Sequence, residues 1–458
     1  VRPLKWLGNC LRRPHHALRA HWPFGKARRT VILLLMQTAD DRGNAVLAFS
    51  YDDRDELLAG ERPFGEVSLG PSLTPVGSGT VPDGAASWGA NAPTQAALDA
   101  VFGAYGGYTA GSVPPAAIIG LNTNGTVFSF GRGTTAQPVV HFLGDTADPG
   151  FNPLSYSYNF GPVNYLQLPL ERRQAAAFVR YNLVPDRAEM YSRVMYTRYN
   201  ADQQLAPTPV SSGLGSSVPV SNTAIPADLR TLLNSRPTPG ANFTFGRRYS
   251  EVGPRTQENE YDVIQGLLGV RGDLAGEWDY DVYASWGFTQ TTATQGGNVS
   301  RSRLNSVLTN PAFYAAQGCP VFNPFGAGNI TPACAQRIAI RATNITEIEK
   351  LNVLASATGS LFELPAGPVK TAIRVSYGET KGEFRPDEFL ASGDVVGFNA
   401  QLPVSGRITV IEPFIEFAVP LLANMTAVDY LGLDLGYRNS DYNLAGNVDT
   451  YKAALQWR

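Results

Sequence analysis

The chain has 458 residues, 43% of them hydrophobic and 17% charged, with a formal net charge of −2. That charge excludes a general attraction to nucleic acid, and 46 Gly with 33 Pro favour turns and loops over helices. No apolar run approaches about 18 residues, which excludes a transmembrane helix but not a membrane barrel, whose strands carry no such run.

Residues 1–38 have an atypical composition and are expected to stand apart from the fold. They hold Arg12, Arg13, Arg28 and Arg29, three of the four histidines (His15, His16, His21) and the apolar run Val31–Met36. That run is shorter than the roughly 7–15 residues of a signal-peptide core. Residues 30–38 are a candidate extra strand.

Asp40–Asn44 reads as a tight turn into a strand over 44–54, where Ala45, Leu47, Phe49 and Tyr51 share one parity. Residues 55–163 form a long excursion rich in Gly, Pro, Ser and Thr, with a short helix expected at 94–102. At its end Tyr156, Tyr158, Phe160 and Tyr165 are candidates to stack on a ligand. They equally suit packing of loops over an opening or, for the first three, a short loop strand. Strands at 174–183 and 188–199 flank a turn at 184–187. A second excursion, 201–258, holds a helix expected at 226–233 with Pro in its first turn.

The clearest hairpin joins 259–272 to 277–290. In its second arm Trp278, Tyr280, Val282, Ala284, Trp286 and Phe288 share one face. Eight residues separate Trp278 from Trp286. At about 3.3 Å per residue and a tilt of about 40°, that is roughly 20 Å along a membrane normal. A third excursion, 291–346, contains Cys319 and Cys334, the one plausible disulfide pair beside the distant Cys10. Strands at 351–361 and 369–377 follow, and a fourth excursion spans 380–406.

From 407 to 458 the period of two is sustained. Ile411, Pro413, Ile415, Phe417 and Val419 alternate with Glu412, Phe414, Glu416 and Ala418; Leu431, Leu433, Leu435 and Tyr437 alternate with Gly432, Asp434, Gly436 and Arg438; and Tyr451, Ala453, Leu455 and Trp457 alternate with Lys452 and its neighbours. Successive strand residues face opposite sides. Strands of this length, apolar on one side only, fit an all-β antiparallel meander in a transmembrane barrel wall better than a soluble sandwich. About ten strands, with short turns and long loops alternating, would place all long loops on one rim. Glu412, Glu416, Asp434, Arg438, Lys452 and Arg374 then face the lumen, and Trp278, Trp286, Tyr437 and Trp457 form lipid-facing girdles.

Several stretches resemble the barrel of TonB-dependent outer-membrane receptors. They are Asn164–Arg173 with Phe178, Tyr181 and 188–191; Glu412–Glu416 with Val419–Leu422; and Tyr437–Tyr442 with Tyr451–Trp457. The resemblance covers roughly 39–458. It implies a barrel of about 22 strands in a bacterial outer membrane, plugged by an N-terminal domain. That plug couples to the TonB energy complex for uptake of a scarce ligand such as a siderophore, cobalamin or an oligosaccharide. Its partners would be outer-membrane lipid, the small-molecule or oligosaccharide ligand and that complex, and not nucleic acid. No plug is recognisable before residue 39 and about ten strands are counted, so residues 39–458 read as an internal barrel fragment.

Nothing in the sequence assembles a catalytic constellation, so no enzyme, cofactor or metal site is expected. His141 is the one histidine beyond residue 21, and Asp52, Asp53, Asp55 and Glu56 lack calcium-loop spacing. A passive outer-membrane pore or adhesin, or a soluble secreted β-rich protein, are the competing functions.

Overall fold

The computed structural model describes residues 27–67, 84–129, 139–144, 151–152, 155–185, 187–210, 217–274, 276–425 and 428–458. Among the described residues eleven long strands run as one antiparallel meander. They are β1 (Ala27–Gln37), β2 (Gly43–Arg54), β3 (Leu170–Val184), β4 (Ala188–Asn200), β5 (Arg255–Asp273), β6 (Asp279–Val299), β7 (Ala339–Leu364), β8 (Gly367–Arg385), β9 (Val404–Met425), β10 (Val428–Tyr442) and β11 (Gly446–Trp457). Each pairs with its neighbours in sequence, and the short strand Gln203–Leu205 also pairs with the start of β5. Among the described residues no strand pairs with the outer edge of β1 or of β11.

The short connections lie on one rim. Between β1 and β2 the chain reverses over 38–42, with Thr38 N–H donating to the Gly43 carbonyl at 2.9 Å. Asp41 takes a positive φ of 56° there, which an Asp tolerates better than most residues. The long excursions expected from the sequence all leave from the opposite rim. The connection from β10 to β11 is the exception on that rim, a turn over 443–445.

Three features differ from the sequence reading. Residues 27–37, inside the segment expected to stand apart but overlapping the candidate extra strand at 30–38, form β1 and pair in full with β2; residues 1–26 lie outside the described residues. The central strands are longer than expected, up to 26 residues in β7. Their extra length lies beyond the apolar part of each strand, where Thr, Gln and charged side chains alternate. Trp278 lies in the turn before β6 rather than in the strand. It still packs on the apolar face, because a Cβ built on Gly359 would lie 2.4 Å from its ring. Gly359 shares register parity with Leu351 and Ala357, which pair with Trp286 and Tyr280.

Most sheet side chains are half-buried or exposed on both faces. The dense core sits at the long-loop rim, where the excursions fold together into a cap. Helices α1 (Gln95–Gly103) and α2 (Ala227–Asn234) occur where expected, the first capped by Thr94, whose hydroxyl accepts from Ala97 N–H. Helices α3 (Arg301–Thr309), α4 (Pro311–Ala315), α5 (Pro332–Ile338) and α6 (Glu388–Ala391) add to these. A small antiparallel sheet is built on Phe243–Arg248 and Ala85–Ser87. Leu98, Phe102, Leu229, Leu232, Phe245, Leu304, Phe322 and Val396 belong to one buried cluster drawn from all four excursions. Cys319 and Cys334 lie inside it as a disulfide with a Cα separation of 4.9 Å, tying the loop before α5 to the helix.

Candidate functional site

The register divides the sheet into two chemically distinct faces. On one, Val270, Val282, Ala355, Val375 and Pro413 stand side by side across five strands. Along β7 this face is apolar or small from Leu351 to Gly359 and continues, past a register shift at 360–362, with Phe362 opposite Val369, while the charged Glu349 shares the parity at the cap end. Ten residue steps at about 3.3 Å, tilted about 40°, span roughly 25 Å, the height of a lipid-facing apolar band. Aromatic side chains mark its edge toward the cap: Tyr51, Tyr196, Phe288, Tyr377, Tyr437 and Tyr451 share this parity. Trp286 stacks along Phe288 at 6.4 Å, and Tyr437 lies 5.2 Å from Tyr451. At the short-turn end the same face carries Trp278, and Trp457 pairs with Leu431.

Immediately beyond the aromatic edge the same face turns ionic. Arg198 pairs with Glu260 at 2.5 Å, Arg385 with Glu347 at 2.6 Å, Arg407 with Glu379 at 2.6 Å and Lys381 with Glu349 at 3.3 Å. These are cross-strand pairs; those of Arg198, Arg385 and Lys381 join exposed or half-exposed side chains and each contributes little to stability, whereas Glu379 is buried. Their arrangement is the informative part. An apolar band, an aromatic border and a charged belt succeed one another on strand after strand.

The opposite face is mixed, with apolar side chains such as Phe178, Leu267, Leu354 and Phe414 set among charged and polar ones. Arg172 pairs with Asp52 at 3.0 Å, Arg271 with Glu189 at 2.6 Å, and Lys452 with Glu416 at 2.6 Å. Ser440 donates to Glu412 at 2.7 Å and Gln456 to Asp434 at 2.7 Å. All six residues expected to face a lumen lie on this face, because Arg374, Phe414, Arg438 and Thr450 form one row and Glu416 and Lys452 the next. Arg374, Glu412, Arg438 and Lys452 line a cavity of about 380 Å³. A larger one, about 660 Å³, opens at the short-turn end between Arg187, Glu189, Arg271, Asp279 and Asp281. The acidic group at 52–56 does not converge on one point. Asp52 faces Arg172 on the polar side, and alternation turns Asp53 to the other.

At the cap end of the polar face, Tyr199 and Tyr261 stack directly across β4 and β5 at 4.3 Å. Among the candidate ligand-stacking residues, Tyr158 is buried and lies under the guanidinium of Arg248, 4.6 Å from its ring centre. Tyr165 is half-buried in a short strand that pairs with 57–58. The side chain of Tyr156 lies outside the described residues.

His141 is held in the cap, its ring stacked 3.8 Å from Tyr105, and burial lowers its pKa. The Tyr105 hydroxyl donates to Asp228 at 2.5 Å; burial and that carboxylate raise the phenol's pKa. Sequence reading gave no role to Arg247 or Arg248, both buried in the strand Phe243–Arg248. The adjacent pair of arginines flanked by Phe243, Phe245 and Tyr249 is the signal that could have found them. Among the described residues no cluster of three or more His, Cys, Asp or Glu side chains could hold a metal.

No known family model matches this sequence, and no characterised protein matches it in sequence. Solved structures similar to the chain include the ferric enterobactin receptor PfeA of Pseudomonas aeruginosa, with 11% identity, a TM-score of 0.40, and coverage of 96% of this chain and 40% of that one. The siderophore receptor PirA of Acinetobacter baumannii is 10% identical with a TM-score of 0.39, covering 95% of this chain and 39% of that one. The ferric-catecholate import receptor Fiu of E. coli K12 is 11% identical with a TM-score of 0.34, covering 95% and 55%. The chain thus spans about 40% of the length of the first of these.

Proposed function

We propose that the sheet is part of the wall of a bacterial outer-membrane receptor barrel, of the TonB-dependent kind, that takes up a scarce small-molecule or oligosaccharide ligand with energy coupling. The observation that carries this reading is the face running from Leu351 to Phe362 and its neighbours: an apolar band of roughly 25 Å, bordered by aromatics and then by charge, opposite a face where charged and polar side chains are interspersed along the strands. In hydrocarbon every backbone N–H and C=O needs an internal partner, and only a closed sheet supplies them all. The polar face then lines the lumen, and Glu412, Glu416, Asp434, Arg438, Lys452 and Arg374 meet water or a plug there. Trp286 and Tyr437 belong to the girdle nearer the cap, Trp278 and Trp457 to the other. The cap, built on the long-loop rim, stands on the extracellular side, where the Cys319–Cys334 disulfide persists under oxidising conditions.

The test is site-directed spin labelling of the chain reconstituted in lipid vesicles, with cysteine placed at Ala355 or at Ser356. A label at Ala355 accessible to oxygen and not to a water-soluble nickel chelate, with the reverse at Ser356, supports the wall. Equal accessibility to both quenchers at the two positions refutes it. Energy coupling is tested separately, by asking whether uptake by intact cells stops when the proton gradient is collapsed.

A further inference from the structure

The cap answers some of its buried arginines in full. Arg247 is completely buried and donates from Nη2 to both carboxylate oxygens of Glu251 at 2.8 Å, and from Nη1 to the Gly326 carbonyl at 3.0 Å. Arg236 is 3% exposed and caps the C-terminal end of α2, reaching the carbonyls of Leu233, Pro239 and Ala241. The next two arginines in sequence are treated differently.

Arg248 is 3% exposed. Its Nη1 donates to the Pro207 carbonyl at 2.8 Å, its plane lies over Tyr158, and its buried Nε has no hydrogen-bond partner. Half-buried Arg255 donates from Nε to the adjacent carbonyl of Ala206 at 2.8 Å, and its charge repels that of Arg248. Among the described residues neither takes part in an ion pair. Two neighbouring cations withdrawn from water without a counter-charge are costly. The carbonyls of 206 and 207 engage only one edge of each guanidinium. On Arg248 they leave the Nε–Nη2 edge, which can grip a carboxylate or phosphate with two parallel hydrogen bonds. Arg255 has the register parity of the polar face, so this edge lies where the cap meets that face.

We propose that Arg248 and Arg255, walled by Tyr158, form a seat for one oxyanion group, a carboxylate or a phosphate, at the base of the cap. The seat does not depend on the membrane reading, since the cap has its own core. A free oxyanion and the anionic head of a larger ligand offer the same chemistry, so the test uses both inorganic phosphate and citrate.

The full chain in detergent is unfolded thermally with increasing phosphate, citrate or, at matched ionic strength, chloride. A saturable rise of several degrees with phosphate, citrate or both, and not with chloride, is expected. Phosphate alone identifies a free phosphate seat; citrate alone identifies a carboxylate-bearing ligand. Arg255→Gln should abolish the rise, and Arg248→Lys, which keeps the charge but loses the fork, should weaken binding at least tenfold. Arg385→Gln, in the charged belt, should leave the rise intact. The proposal is overturned by no saturable rise in the wild type, by an equal rise with chloride, or by a rise that survives Arg255→Gln. Should Arg248→Lys fail to fold, the less buried Arg255→Gln decides alone.

Discussion

Arginine placed on the apolar face at the centre of the sheet gives the sharpest test of which side meets lipid. Ala355 lies four residues from both Leu351 and Gly359, close to the middle of the apolar span on β7. Its neighbours are Val282 on β6 and Val375 on β8, so a guanidinium there has no acid beside it. At about 3.3 Å per residue and a tilt of about 40°, Ala355 is roughly 15 Å below Glu349 in the charged belt. An arginine near the bilayer midplane on a lipid face costs about 2–4 kcal/mol. This is a change of roughly thirty- to several-hundred-fold in the folding equilibrium. The adjacent Ser356 faces the polar side, where arginine should cost less than about 1 kcal/mol. The assay is denaturant unfolding of the two variants in phosphatidylcholine vesicles against wild type. Equal losses for Ala355→Arg and Ser356→Arg, or none for the first, would refute the assignment of faces.

Glu251→Ala should strand the wholly buried Arg247 and cost about 3–5 kcal/mol, read as a fall in the thermal midpoint of the cap. Replacing Cys334 with Ser opens a loop of sequence separation 15 and should cost about 3 kcal/mol by loop-closure entropy, measured by comparing the variant with oxidised wild type. At the β1–β2 turn, hydrogen bonds from Thr38, the Arg42 backbone and Tyr181 hold the Asp40 carboxyl at about 2. A depressed carboxyl pKa stabilises the fold above the unfolded value of about 4, and that contribution is lost as pH falls through the folded value. Protection of the amides at residues 38–43, taken relative to the intrinsic exchange rate at each pH, should therefore fall between pH 4 and 2 in the wild type and lose that fall in Asp40→Asn.

The strands were legible wherever one face is apolar and the other is not. Residues 411–419 and 431–437 declare themselves because lipid-side and polar-side demands alternate residue by residue. The same logic hides the upper parts of the central strands. Above Leu351 and below Asp262 both parities carry Thr, Gln or charged residues, so the period of two vanishes although the ladder continues. β1 was legible only as a candidate strand at 30–38, for the opposite reason, since Val31–Met36 is apolar on both faces and shows no period of two. The cap was the least legible element. Its core joins Phe102, Leu232, Phe245, Leu304 and Val396 from four excursions, and no local pattern announces contacts across so long a separation. The two short helices at 95–103 and 227–234 could be read from their caps and Pro, whereas the arginine seat exists only once residues 206–207, 248 and 255 are brought together.

The sheet's parity has a geometric consequence. Eleven strands are joined by ten reversals, so β1 and β11 point the same way. Sealing these two edges directly against each other would make a parallel seam in an otherwise antiparallel ladder. A ring that alternates direction all the way round must instead set an odd number of further strands between them, the first antiparallel to β1 and the last antiparallel to β11. The same arithmetic applies to two such sheets assembled with their caps on one side, which would meet at two parallel seams. Pairing with itself is therefore disfavoured by direction alone, and an edge partner that supplies an odd count of strands closes the ladder without changing its hydrogen-bond pattern.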